Sequence, residues 1–370
     1  MNNLFKSDQW TTRPLVEVAT LQRGYDLPVQ DRNAGPFPIF AANGPVGFHD
    51  TAKCEGPGVV TGRSGTIGKV QFVESAYWPL NTSLYVNDFH GNHPKWVYYM
   101  LQSFGLEKYA QGAGVPTLNR NLVHHEPVLV PPLEEQRRIA AILDQTETLR
   151  TQRRTALALL NSLTQSLFLD MFGDPAKNTL GLPTKQLGEL GDWHSGGTPP
   201  RSNSHYFEGD IPWFSSGELE SMYVSDSVEH ISDAALKETA TKLVPAGSLM
   251  MGMYDTAALK TSIAIKDCSC NQAIAFSKLD PTLADTAYVY YAIVVGREHF
   301  RRLQRGVRQK NLNLSMVREI RIPHPPLPLQ QTFATRIASI EALKTTHRRA
   351  LAALDALFTS LQQRSFAGQL

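Results

Sequence analysis

Apolar residues recur at alternating steps of three and four over two long stretches of this 370-residue chain. The first follows Pro131-Pro132 and runs from Glu134 to about Met171, with Ile139, Ile142, Thr146, Leu149, Arg153, Ala156, Leu160, Leu163 and Leu167 on one stripe. The second follows Pro325-Pro326 and runs from Gln330 to about Phe366, with Phe333, Ile337, Ile340, Leu343, His347, Ala350, Leu354, Leu357 and Leu361 spaced alike. This spacing predicts two long helices, each with a coiled-coil seam that turns polar near its middle. At 1.5 Å rise per residue each rod is about 55 Å long.

Elsewhere the pattern is shorter. Residues 1–130 are rich in Gly, Pro, aromatic and β-branched residues, with runs such as Gly58-Val59-Val60-Thr61 and Lys69-Val70-Gln71-Phe72-Val73 between turn formers, which predicts many short strands. A helix is expected from His93 to Tyr109, opened by Pro94. Residues 181–324 repeat this scheme and add a helix from about Ala287 to Gln304.

The repetition extends to the letter. Pro131 to Gly173 overlays Pro325 to Ala367 without a gap, at an offset of 194 residues; Glu147, Leu149, Arg154, Leu160 and Phe172 meet Glu341, Leu343, Arg348, Leu354 and Phe366. Upstream, Gly112 meets Gly306 and Leu118-Asn119 meets Leu312-Asn313. A period this long means a duplicated domain plus helix, not a solenoid unit. An apolar stripe on a long helix must be buried, and the only matching stripe of equal length belongs to its own copy. The helices are therefore expected to pair antiparallel and to hold two heads apart, although the same seam would also serve an intermolecular bundle. The expected fold is α+β: a domain over residues 1–130, a spacer helix over 131–174, a second domain over 175–324 and a C-terminal helix over 325–370.

Composition changes little in this picture. Hydrophobic and charged fractions are those of an ordinary globular protein, no run approaches the length needed to cross a bilayer, and the start lacks a signal-peptide layout, so a cytoplasmic protein is expected. Cys54, Cys268 and Cys270 form neither a disulfide framework nor a zinc signature. Net charge is +2, with ten basic and ten acidic residues in 1–130 and sixteen of each in 175–324. Between Arg297 and Arg321, however, eight basic residues face only Glu298 and Glu319. Such a stripe suits phosphate, and equally suits a solvated helix face.

Catalytic patterns are lacking. Arg63-Ser64-Gly65-Thr66-Ile67-Gly68-Lys69-Val70 approximates a phosphate loop but has Arg and Val where that motif needs Gly and Ser or Thr. No lysine has an acidic residue two places before it, which argues against a metal-dependent nuclease. Asp174-Pro175 is not followed by Pro and an aromatic, as an amino-methyltransferase loop would be. His124-His125 has no third ligand at metal spacing.

The order of a first domain, then Gly112-x-x-Val115-Pro116-x-Leu118-Asn119, then Val130-Pro131-Pro132-Leu133-Glu134-Glu135-Gln136-Arg137-Arg138-Ile139 opening a long helix, then a second domain and helix, resembles the specificity subunit of type I restriction-modification enzymes. The second copy departs from the pattern at Pro328 and Leu329, and at Arg308, Gln309 and Lys310. The resemblance implies two target recognition domains related by a pseudo-twofold, each reading one half of a split site in double-stranded DNA. It also implies helices that space the domains and dock two methyltransferase subunits, with restriction subunits completing the complex. No cofactor is expected on this chain; S-adenosylmethionine and ATP would belong to the partners. A dumbbell scaffold that recruits proteins without reading DNA stays open beside this reading.

Given that resemblance, base-reading residues are sought on Gly-flanked loops. In the first domain these are Arg23, Tyr25, Arg63, Ser64, Thr66, Lys69 and Asn81. Arg63 suits a bidentate pair with guanine. In the second they are Thr198, Arg201, Asn203, Tyr254, Thr256, Lys260, Asn271 and Gln272, with Gly196 matching Gly24 and Asn271 matching Asn81. Arg301, Arg305, Arg308 and Lys310 suit phosphate contacts.

Overall fold

A computed structural model describes residues 10–112, 114–303 and 311–369. The chain divides into two compact units, Met1–Thr155 with Arg348–Leu370, and Ala156–His347. Each unit thus owns one globular part and one half of each long helix.

In the first unit a four-stranded sheet is ordered Thr20–Arg23, Ser83–Asp88, Gly58–Gly62, Val70–Val73, all antiparallel. A three-stranded sheet holds Phe37–Ala41 between Gly44–His49, antiparallel, and Trp78–Pro79, parallel. The helix expected over 93–109 is cut in two: it runs Pro94–Ser103, Gly105 takes a left-handed φ of 74°, and a 3-10 turn follows at Leu106–Tyr109. Glycine adopts that conformation without a Cβ clash, which is why the chain turns there. Trp96, Tyr99 and Met100 bury one face of the helix against Val59, Leu84 and Val86 of the sheet.

The second unit repeats the plan with one more strand in each sheet. Its sheets are ordered His194–Ser195, Ile274–Ser277, Leu249–Gly252, Thr261–Ala264, Tyr223–Val224, and Glu229–Ile231, Ile211–Phe214, Cys268–Cys270, Leu243–Val244. Again the smaller sheet has one antiparallel and one parallel neighbour around its second strand. The offset between copies is 172 at Gly24 and Gly196, 190 at Gly62 and Gly252, and 191 at Ser83 and Ile274, which pair with those last glycines, so Asn81 is matched by Gln272 and not by Asn271 as the letters suggested; the added segment supplies the strand at Tyr223 and a helix at Asp233–Glu238. The last domain helix runs Thr286–Phe300, followed by a 3-10 turn at Arg301–Leu303.

The long helices are Leu133–Phe172 and Leu327–Phe366. In the first unit the start of one meets the end of the other: Arg150 Nε donates to Asp355 at 2.6 Å, its guanidinium lies 4.5 Å from the Phe358 ring, and Phe358, Leu361 and Phe366 pack on the core that holds Ile139 and Leu143. In the second unit Phe168 and Phe172, near the end of the first helix, stand edge-on to Phe333, near the start of the second, at 5.6 and 5.4 Å, with Tyr288 against both. The helices therefore run antiparallel within each unit. These rings are fully buried, which is worth about 1.5–3 kcal/mol apiece before their edge-to-face contacts are added.

One line of the seam is displaced from its expected position. Ile139, Phe333, Ile337 and Ile340 are buried, and Ile142, Leu160, Leu167, Leu354 and Leu361 are half-buried. Leu149, Leu163, Leu343 and Leu357, by contrast, are 38, 49, 52 and 48% exposed. The residues one place later turn inward instead: Leu143, Arg150, Leu157 and Thr164 on the first helix, and Lys344, Leu351 and Phe358 on the second. Arg150 and Lys344 occupy equivalent positions, and each is held by a glutamate three residues before it, Glu147 and Glu341. A pattern read by hydrophobicity prefers Leu149 to Arg150, but a charge with a partner of its own can be buried.

The Pro-Pro-Leu-x-x-Gln motif owes its repetition to its last residue. Gln136 is buried; its carbonyl oxygen accepts from His93 N at 2.8 Å and its amide donates to Asn92 Oδ1 at 2.7 Å and Pro131 O at 3.0 Å. Gln330 accepts from Asp285 N at 3.0 Å and donates to Pro325 O at 2.8 Å. Each glutamine fastens the long helix to the residue that caps the domain helix, satisfying backbone groups that burial would otherwise strand.

Candidate nucleic-acid interface

In an antiparallel sheet the end of one strand and the start of its neighbour lie at the same edge. Consequently Arg23, Gly62, Val70 and Ser83 meet at one edge of the first unit's larger sheet, and Ser195, Gly252, Thr261 and Ile274 meet at the matching edge of the second. Glycines let these loops touch. A Cβ on Gly24 would sit 2.3 Å from Leu80 O and one on Gly62 1.6 Å from Thr66 O; at the equivalent Gly196 and Gly252 it would sit 2.2 Å from Cys270 O and 2.3 Å from Ala257 O. No side chain fits at any of the four.

Most of the first-domain residues singled out in the sequence come together there. Arg63 N and Ser64 N both donate to Thr82 O, Gly65 N to Pro116 O, and Leu118 N to Arg63 O. Arg63 Nη1 donates to Asn81 O at 3.2 Å, the Asn81 amide donates to Asp26, and Arg23 lies 3.5 Å from the same carboxylate. Asp26 was invisible as a partner in the sequence, since it stands 55 positions from Asn81. Tyr25 is partly internal, its hydroxyl 2.9 Å from that of Tyr85 and its ring edge-on to Trp78. Thr66 is exposed at the loop tip, and Lys69, behind it, donates to Asn43 O at 2.6 Å.

The second cluster has the same backbone and different side chains. Leu312 N donates to Met253 O as Leu118 N does to Arg63 O, so a buried methionine stands where the first domain has its arginine. Thr198 hydrogen-bonds Gln272, joining the same two loops that Asp26 and Asn81 join in the first unit. Arg201 is drawn sideways. It forms a two-pronged pair with Glu229 and stacks on Phe207 and Trp213, 4.4 and 5.3 Å from their centres. Each partner reinforces the other's charge, holding Glu229 below the usual carboxylate range. Asn203 and Asn271 are turn caps, accepting from His205 N and Ala273 N. Tyr254 is exposed beside Asn311, Thr256 lends its carbonyl to Arg297, and Lys260 reaches Gly217 O and Glu220, both at 3.2 Å.

The basic stripe is partly internal wiring. Arg297 also donates to Ala258 O, and burial together with Arg301 pushes its pKa down. Arg301 faces Glu298 at 3.5 Å, and Arg318 donates to Trp193 O. Arg305, Arg308 and Lys310 lie outside the described residues. Among the described residues no group of His, Cys, Asp and Glu is arranged to hold a metal, and no helix is long and apolar enough to cross a membrane. His124 is buried, its Nε2 accepting from Leu21 N at 3.1 Å. Both clusters therefore offer hydrogen-bonding and cationic groups on fixed backbone, suited to reading a polar surface.

Residues 7–159 and 181–355 match the model of the type I restriction modification DNA specificity domain. The chain belongs to that family. It is similar to the EcoR124I/EcoR124II type I restriction enzyme specificity subunit of Escherichia coli, 39% identical over 66 residues, which are 18% of this chain and 16% of the relative. It is also similar to the MjaIX type I restriction enzyme specificity subunit of Methanocaldococcus jannaschii, 24% identical over 163 residues, 43% of this chain and 38% of the relative. The matches thus span less than half the length of these curated relatives. In fold it is similar to the type I restriction-modification S subunit of M. genitalium, with a TM-score of 0.72 at 14% identity over 99% of this chain and 97% of the other. The two family segments each begin before a domain and end within a long helix, so the family unit is the duplicated one.

Proposed function

We propose that this chain is the specificity subunit of a type I restriction-modification complex: it binds double-stranded DNA, each domain reads one half of a bipartite target, and the chain itself catalyses nothing. The observation that carries this reading is the pair of loop clusters, built on equivalent backbone hydrogen bonds yet furnished with different side chains, Arg63 in one and Met253 in the other. Constant backbone with varied side chains is what two readers of unlike half-sites require. The long helices would dock two methyltransferase subunits, which carry S-adenosylmethionine, and restriction subunits would supply the ATP-dependent steps.

The test is an exchange of residues 181–324 with those of a relative of different specificity, followed by methylome sequencing of a host carrying the hybrid with its partner subunits. One half of the methylated motif should change and the other persist; a change in both halves refutes modular reading. The balanced charge of each domain and the pairing of Arg201 with Glu229 favour the second reading, a scaffold without DNA contact. Fluorescence titration against duplex at two salt concentrations separates the two, because phosphate contacts make affinity fall steeply as salt rises.

A further inference from the structure

We propose that the second unit holds a DNA-backbone subsite, apart from its base-reading loops, in a cleft between Lys242 and Lys278. The inference rests on the DNA-reading function proposed above. The cleft has a volume of about 420 Å³ and is lined by Asp192, His194, Lys242, Leu243, Phe276 and Lys278, among others. Among the described residues neither lysine ammonium donates a hydrogen bond or joins an ion pair, in contrast with Lys260, which is tied to Glu220. The one carboxylate on the rim, Asp192, is already engaged: His194 Nε2 lies 3.1 Å from one oxygen and Arg318 4.0 Å from the other. Two free cations thus border an apolar floor of Leu243 and Phe276. A phosphodiester with its deoxyribose has the matching make-up, one negative charge beside a largely apolar ring.

The cleft is also joined to the reading loops. Leu243 and Val244 pair with Ser269 and Cys268, in the strand that runs directly into Asn271 and Gln272, and Ser269 Oγ donates to Lys242 O at 2.8 Å. Ala240, two residues before Lys242, puts its carbonyl 2.6 Å from where a Cβ on Gly197 would lie. Lys278 directly follows the strand Ile274–Ser277, which leaves the same loop on its other side. Among the described residues the first unit has no such pair of lysines at the matching place. In the register of the paired strands Gln22 stands for His194 and Asn87 for Lys278, and the Asn87 side chain, which carries no charge, accepts from the Tyr85 hydroxyl at 3.3 Å. The subsite therefore serves the second half-site alone, and it anchors without choosing bases.

The experiment is a titration of the full-length chain with its partner subunits against duplex carrying the methylated motif, over a range of salt concentrations. Lys242→Ala with Lys278→Ala should lower the slope of log affinity against log salt by about 1 to 2 units and weaken binding about tenfold or more, with the methylated motif unchanged. Lys242→Arg with Lys278→Arg, which keeps both charges, should retain the wild-type slope. An unaltered slope in the alanine pair overturns the subsite, as does a changed motif. Inorganic phosphate, titrated at constant ionic strength, identifies the remaining source of the same chemistry: if the alanine pair loses phosphate binding while its DNA slope stays wild-type, the cleft is a free-anion site and the proposal fails. A wild-type complex whose binding ignores salt would instead sink the DNA-reading function itself.

Discussion

An added methyl group at Gly62 would have to displace the Thr66 carbonyl, and with it the loop that presents Arg63, Ser64 and Thr66. On the DNA-reading function proposed above, Gly62→Ala should therefore weaken binding to the first half-site by about tenfold, near 1.4 kcal/mol, with the second half-site unaffected; duplexes altered in one half at a time measure it. The cysteines give a second expectation at this scale. Burial pushes the Cys268 thiol up to about 12 and Cys270 higher still. Because the reactive thiolate is a vanishing fraction so far below those values, neither should be alkylated by iodoacetamide at pH 8 in the native protein, and both should be in urea; mass spectrometry reads the difference. What the sequence revealed of single residues was their neighbourhood. Gly-flanked loops announced where Arg63 and Thr198 would sit, because backbone crowding leaves a mark in the letters. Asp26 and Glu229 left none, since a carboxylate that restrains an arginine or an asparagine does so across a fold, 28 positions away for Arg201 and 55 for Asn81.

Among the elements, both long helices were legible because three-four spacing persists over ten turns, and their antiparallel course followed from there being only one matching stripe. Strands such as Gly58–Gly62 and Val70–Val73 were equally plain. The seam's exact line was not, since Ile142 and Leu143, or Leu149 and Arg150, compete for one place and only the partner helix decides between them. Leu143, fully buried in the first unit, and Leu149 therefore make a matched pair of tests. Leu143→Asp should cost several kcal/mol by stranding a carboxylate in the core, whereas Leu149→Asp, on the outer face, should cost less than about 1 kcal/mol. Urea unfolding of both variants decides, and equal losses would restore the line read from hydrophobicity. The motif before each helix was visible as a repeat, but its cause was hidden: a glutamine side chain looks solvent-bound until His93 or Asp285 is brought to it.

Across the whole molecule, duplication was the clearest message of the chain, and the shared strand order of the two units carries it into three dimensions. The boundaries of the compact units were not so plain, because each long helix is divided between them. One unit is a single continuous stretch, Ala156–His347; the other is assembled from Met1–Thr155 and Arg348–Leu370. Its core is closed by Phe358, Leu361 and Phe366, with Phe366 against Trp96 at 6.2 Å and Phe358 against Tyr99 at 6.1 Å. On the ribosome this reverses the usual precedence. Residues 10–155, made before the continuous unit, must wait, with Trp96 and Tyr99 uncovered, until residues 348–370 emerge, while the unit made between them already has every segment it needs. A chain stopped after His347 should accordingly bind a hydrophobic dye and be cut by protease within residues 10–155 while 156–347 resists, and a synthetic peptide of residues 348–370 should protect the cut region again.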